Sequence, residues 1–81
     1  MTNHCKVYFK YFDYGEQDYI PCEICGRRAV DIHHVHGRGR NKDVIENLMA
    51  LCRACHKKAH EKLHPDLVQH LHNRYLCTRN S

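Results

Sequence analysis

Two Cys-x-x-Cys pairs, Cys22/Cys25 and Cys52/Cys55, bracket a segment that carries the adjacent histidines His33 and His34, and the second pair runs directly into His56 and His60. Thiolates from two such pairs can close one tetrahedral zinc site. Imidazoles four residues apart on a helix share a face and can converge on a second ion. His56/His60 and His60/His64 both have that spacing; His56 is favoured because the adjacent cysteines fix it, whereas His64 abuts Pro65. In an extended segment His33 and His34 point to opposite faces, so they should not both address one ion. That division suits hydrolysis: one imidazole holds a metal, and the other keeps an unligated lone pair to take a proton from water.

The elements that must position these residues can be outlined from the same letters. Val7, Tyr8, Tyr11 and Phe12 recur at helical offsets before Gly15, which predicts a helix over about residues 3–14. Pro21 opens the first cysteine knuckle, where Gly26 can take a positive φ. Residues 29–33 suggest a short strand, residues 36–43 a glycine-punctuated basic loop, and Leu48-Met49-Ala50-Leu51 a returning strand. Good helix formers dominate from Ala54 to about Leu63, and Pro65 breaks them. A further helix over about residues 66–76 carries an apolar stripe of Leu67, Leu71 and Tyr75, flanked by Val68 and Leu76, that reads as packing.

At 81 residues, an apolar core alone supplies only roughly 3–5 kcal/mol, so a further staple is expected. Met1 to Cys5 leads into a mixed aromatic and charged stretch without the apolar run of a secretion signal. A reducing, cytoplasmic setting follows, in which paired cysteines read as metal ligands rather than disulfides. No segment approaches the roughly 20 apolar residues of a membrane span, and the chain is expected to be soluble. A net charge of +4 fits a polyanionic partner such as nucleic acid. Cys52-Arg53-Ala54-Cys55-His56 also matches a c-type haem attachment pattern, but haem leaves Cys22/Cys25 and His33/His34 without a role. Cys5 and Cys77 read as buried or free thiols, and His36, His70 and His72 as loop or surface residues.

Taken in order, His33, His34, Asn47 and His56 between and after the cysteine pairs resemble the HNH endonuclease family, in the subset whose hairpin is braced by a four-cysteine zinc site. The resemblance covers about Pro21 to His64. It implies a small α+β protein with the ββα-metal HNH nuclease fold and flanking N- and C-terminal helices. As a domain plan it implies one nuclease domain over 1–81, with 1–20 as an N-terminal extension, 21–64 as the zinc-braced core and 65–81 as a C-terminal helix. The activity implied is metal-dependent hydrolysis of DNA phosphodiester bonds. By resemblance His34 is the general base, and His33 is a metal ligand at a position where relatives often carry Asp. His56 and then His60 complete the catalytic metal site, although relatives often differ at the last position. Asn47 matches the central Asn of the motif, which orients the base or helps to ligate the metal.

Asp31 lies one residue too early to be that ligand but could orient a histidine. The cofactors expected are a structural Zn²⁺ on Cys22, Cys25, Cys52 and Cys55 and a catalytic divalent ion, Zn²⁺, Ni²⁺, Mn²⁺ or Mg²⁺. Three imidazoles favour the borderline transition metals over Mg²⁺. Arg38, Arg40 and Lys42, in the loop after the base, are expected to grip phosphates. So short a chain leaves little room for a recognition module, so weak sequence specificity or a recruiting protein partner is expected. Small members of this kind are common in phages and mobile elements. The competing reading is a non-catalytic, zinc-stabilised nucleic-acid-binding module, which would bind without cleaving.

Overall fold

Leu48–Leu51 is apolar at every position and buried at every position, which a strand achieves only when both of its faces are covered. It forms strand β2 and pairs antiparallel with β1, Asp31–His34, in the register Asp31↔Leu51, Ile32↔Ala50, His33↔Met49, His34↔Leu48. Helix α1 (Asn3–Phe12) precedes the hairpin, and α2 (Arg53–Glu61) and α3 (Pro65–Arg79) follow it. A 3₁₀ turn, Ile45–Asn47, leads into β2. The chain is thus a small α+β fold in a computed structural model that describes residues 2–79 except 16, 38 and 40, with only the backbone at 79. None of its described helices is long and apolar enough to cross a membrane.

The two faces of the hairpin carry two cores, as the period of two along a strand requires. Met49 and Leu51 join Cys22, Val35, Cys52, Cys55, Ala59 and Val68. Leu48 and Ala50 pack instead with Tyr8, bordered by Val7, Phe9, Phe12, Ile20 and Ile32. The first cysteine knuckle is tied to β2 by the Glu23 N–H on Ala50 O (2.9 Å) and the neighbouring Val30 N–H on Leu51 O (3.0 Å). Gly26, at φ 81°, lets that knuckle turn. Helix α1 ends at Phe12, three residues before Gly15: Asp13 adopts the left-handed conformation at φ 58° and its N–H donates to Lys10 O. A short polar side chain tolerates that conformation, so the glycine is not needed as the stop.

The face of α3 that packs differs from the apolar stripe read in the sequence. Leu67 is exposed, whereas Val68 and His72 are buried. His72, expected at the surface, has its side chain fully enclosed and paired at 2.5 Å with the equally enclosed Glu23 of the first knuckle. Its Nδ1 faces the Glu23 carboxylate and its Nε2 faces Ile45 O at 2.6 Å. Both partners accept, so both ring nitrogens must donate, and the ring is an imidazolium. Burial alone would lower its pKa; the Glu23 carboxylate and the Ile45 carbonyl outweigh that and hold it above its ordinary value. The second carboxylate oxygen accepts from Tyr8 Oη (2.5 Å) and Ala50 N (3.2 Å). Burial and Glu23 push the Tyr8 phenol above its usual range, so it stays a donor. One carboxylate therefore joins α1, the first knuckle, β2 and α3.

Removing one member of this pair strands a buried charge, which costs about 3–5 kcal/mol. His72→Ala or Glu23→Gln should therefore lower the denaturation midpoint sharply. Replacing both together by Leu and Met should recover only part of the loss, because Tyr8 Oη and Ile45 O then lose their buried partners. Because the His72 pKa is raised on folding, its contribution is fully present below about pH 6.5 and fades as pH rises through the raised value. Urea denaturation of zinc-loaded protein across that range measures both effects.

Candidate functional site

Cys22, Cys25, Cys52 and Cys55 place their sulfur atoms within 4.8 Å of one another. Cys25 Sγ and Cys52 Sγ are 3.6 Å apart, near the roughly 3.8 Å edge of a tetrahedron built on zinc–sulfur bonds. All six cysteines of the chain are free thiols. Of the two outside the cluster, Cys5 is half-buried and Cys77 is exposed. Cys52 caps α2, its sulfur accepting from the Cys55 N–H at 3.5 Å. That N–H, at the positive end of the helix, is the main reason the Cys52 thiol falls to about 7. Burial acts oppositely on Cys55 and pushes it up to about 12. Clustered thiols that must ionise together, three of them buried, are stabilised by a divalent cation, so the set is a metal-binding cluster suited to structural zinc.

The pleat of β1 separates the adjacent histidines. His33, opposite Met49, turns toward α2, where its ring centroid lies 5.0 Å from that of His56 and 4.8 Å from that of His60. One ligand atom from each of the three imidazoles lies within 4.8 Å of the others. His56 Nε2 and His60 Nε2 are 3.0 Å apart. Asp31, two residues before His33 on the same strand face, accepts from His56 Nδ1 at 3.0 Å. The carboxylate can only accept, so it fixes the proton on Nδ1 and leaves the Nε2 lone pair facing the cluster. Burial, and then His56 and His60, lower the His33 pKa to about 4, so its lone pair stays available far below neutral pH. This donor set fits a borderline divalent ion. His64 stands outside it: exposed, it accepts from the Asp66 N–H at the start of α3.

His34, opposite Leu48, turns the other way, toward α1. It is buried, and its Nε2 lies 2.8 Å from Asp43 Oδ1. The Asn3 amide donates to the other oxygen, Oδ2, at 3.0 Å. The Asn3 amide first, and His34 with it, hold the Asp43 carboxyl below the usual carboxylate range. As an acceptor, Asp43 places the His34 proton on Nε2 and leaves Nδ1 with the lone pair. His34 still borders the cavity lined by His33, Gly37, His56 and His60. The hairpin thus puts three imidazoles on one side and a fourth, carboxylate-anchored imidazole at the rim.

Asn47, at the end of the 3₁₀ turn, is buried and clamps the loop between the strands. Its Oδ1 accepts from His36 N (2.8 Å), and its Nδ2 donates to Lys42 O (2.9 Å) and Gly37 O (3.2 Å). Its own carbonyl accepts from Val35 N (2.9 Å). All of these contacts are to backbone, three of them to the residues immediately after His34 and one to Lys42. Lys42 is exposed in that loop, while Arg38 and Arg40 lie outside the described residues. Asp43 escaped the sequence reading, because a single loop Asp has no spacing that connects it to residue 34.

The family model described as HNH endonuclease matches residues 22–62, about half of the chain. That span begins at the first knuckle and closes with α2, so it includes the four-cysteine cluster and the His33, His56 and His60 group. No match is found among the curated proteins or the solved structures.

Because ligand binding is here largely folding energy, Cys22→Ser or Cys52→Ser should release zinc and lose most helical signal. Elemental analysis and far-ultraviolet circular dichroism on the same samples test this; a variant that stays folded without zinc would remove the cluster's structural role.

Proposed function

The chain belongs to the HNH endonuclease family, and we propose that it is a metal-dependent DNA endonuclease that hydrolyses phosphodiester bonds. The observation that carries the reading is the division of labour at β1, where His33 joins His56 and His60 while His34 is anchored by Asp43 at the rim of the same cavity. A divalent ion on His33, His56 and His60 would bind the scissile phosphate, offset the charge that develops on its oxygens and assist the leaving 3′-oxygen. His34 accepts a proton from the attacking water at Nδ1. Asp43, on the opposite nitrogen, is a positioning residue that holds the tautomer and steadies the imidazolium as it forms. Asp31 does the corresponding work for His56. Asn47 sets the base by fixing the loop that follows it.

Arg38, Arg40 and Lys42 in this reading grip the DNA backbone beside the site, as the net charge of +4 favours. The core of the nuclease is residues 21–64, with 1–20 and 65–81 as flanks that buttress it. The competing reading, a zinc module that binds nucleic acid without cutting it, has no use for a fourth imidazole held in one tautomer beside the other three.

Plasmid nicking with and without chelator separates these readings. His34→Ala should retain zinc, the second metal and DNA affinity but lose about 10²–10⁴-fold in cleavage, whereas His33→Ala or His56→Ala should lose the second metal itself. Full cleavage by His34→Ala at saturating metal would refute the assignment, and chelator-sensitive binding with no cleavage by the wild type would favour the binding module. Neutralising Arg38, Arg40 and Lys42 together should weaken DNA binding regardless of sequence and flatten its salt dependence by about one unit for each phosphate no longer gripped. An unchanged salt slope would make the loop an ordinary solvated turn.

A further inference from the structure

We propose that His4, His34 and Asp43 form a third divalent-metal site, and that a transition-metal ion such as Zn²⁺ bound there switches the enzyme off. One ligand atom from each of these residues lies within 4.8 Å of the others. Two imidazoles and one carboxylate are a donor set that zinc accepts with a fourth position left open. The three residues come from the first turn of α1, the end of β1 and the loop before the 3₁₀ turn.

The site is largely preset. His34 is buried, Asp43 Oδ1 is 2.8 Å from its Nε2, and the His4 ring packs edge-on against it with centroids 4.7 Å apart. The Asn3 amide, on Asp43 Oδ2, keeps Oδ1 turned toward the ring. Binding an ion exchanges the His34–Asp43 hydrogen bond for two metal bonds and leaves the Asn3 contact in place. His4 Nε2 exchanges a 3.2 Å contact with the exposed Thr2 hydroxyl for the ion if that nitrogen is the ligand.

The switch rests on the proposed role of His34 as base. A neutral imidazole has one lone pair and one N–H. An ion on Nδ1 takes that lone pair directly; an ion on Nε2 displaces the proton there and leaves Nδ1 protonated. In both cases His34 can no longer accept a proton from water. The cluster on His33, His56 and His60 shares no residue with this one, so the two sites can fill separately. The third site offers two imidazoles where the other cluster offers three, and an ion must displace the His34–Asp43 hydrogen bond to enter it, which makes it the weaker. Metal should therefore activate first and inhibit at higher concentration.

The test titrates Zn²⁺ into protein that already holds its structural zinc, reading the ions bound by calorimetry and plasmid nicking in parallel. Wild type should take up two further ions, with cleavage rising on the first and falling on the second. His4→Ala, a change in a partly exposed helical residue outside the proposed catalytic set, should take up one further ion and show no fall. His60→Ala should lose the activating ion and still bind the ion at His4, His34 and Asp43. A wild type that binds only one further ion, or a His4→Ala that binds two and is inhibited as before, would overturn the proposal. Loss of one bound ion in His4→Ala with no cleavage by any variant would support the third site and sink the nuclease reading, because the ion count does not depend on cleavage.

Discussion

A strand can send adjacent side chains only to opposite sides, and in this protein that constraint governs the site. The β1–β2 register sets His33 and Asp31 against α2, and His34 and Ile32 against α1. A one-residue slip would exchange every one of these assignments. The register is held from both ends, at the far one by Val35 N donating to Asn47 O at 2.9 Å. Backbone hydrogen bonds tie the first knuckle and the residue before β1 to Ala50 and Leu51, and Cys52, next in sequence, belongs to the four-sulfur cluster. The four-cysteine cluster therefore sits where the strand register decides which histidine faces which helix.

Two kinds of staple supplement a small apolar core. The cysteine cluster joins the two knuckles and caps α2, and the enclosed Glu23–His72 pair ties α3 and α1 to the same knuckle. Buried ion pairs are a poor source of net stability, because desolvation offsets most of their attraction. What this one supplies is direction. Four hydrogen bonds converge on one carboxylate and its imidazolium, so α3 can dock at only one rotation about its axis. That rotation presents Val68, rather than Leu67, to the core beneath β1 and α2.

Much of the core was legible because its signals are local. Paired cysteines, histidines four apart before a proline and an apolar four-residue run each imply an element and a facing direction without knowledge of the rest of the chain. The resemblance to HNH endonucleases rested on about Pro21 to His64, a stretch that contains the residues 22–62 matched by the family model. Contacts between residues far apart in sequence were not legible. Glu23 meets His72 across the whole hairpin, and Asp43 meets Asn3 and His34 from a loop. An imidazolium buried at a core position of α3 also broke the apolar pattern that sequence reading relies on, which displaced the expected packing face by one residue. The stop of α1 was misplaced for a related reason: Asp13 can take the left-handed conformation itself, so Gly15 was an unnecessary signal.

Everything proposed for the site depends on adjacent histidines holding different offices, with His33 on the metal and His34 off it. Nuclear magnetic resonance of protein carrying its structural zinc and one equivalent of Co²⁺ addresses this directly, because imidazole protons on a ligated ring are strongly shifted by the ion. Three imidazoles should give shifted signals, one of them disappearing in each of His33→Ala, His56→Ala and His60→Ala, with all three kept in His34→Ala. Loss of a shifted signal on substituting His34, with none lost on substituting His33, would contradict the division.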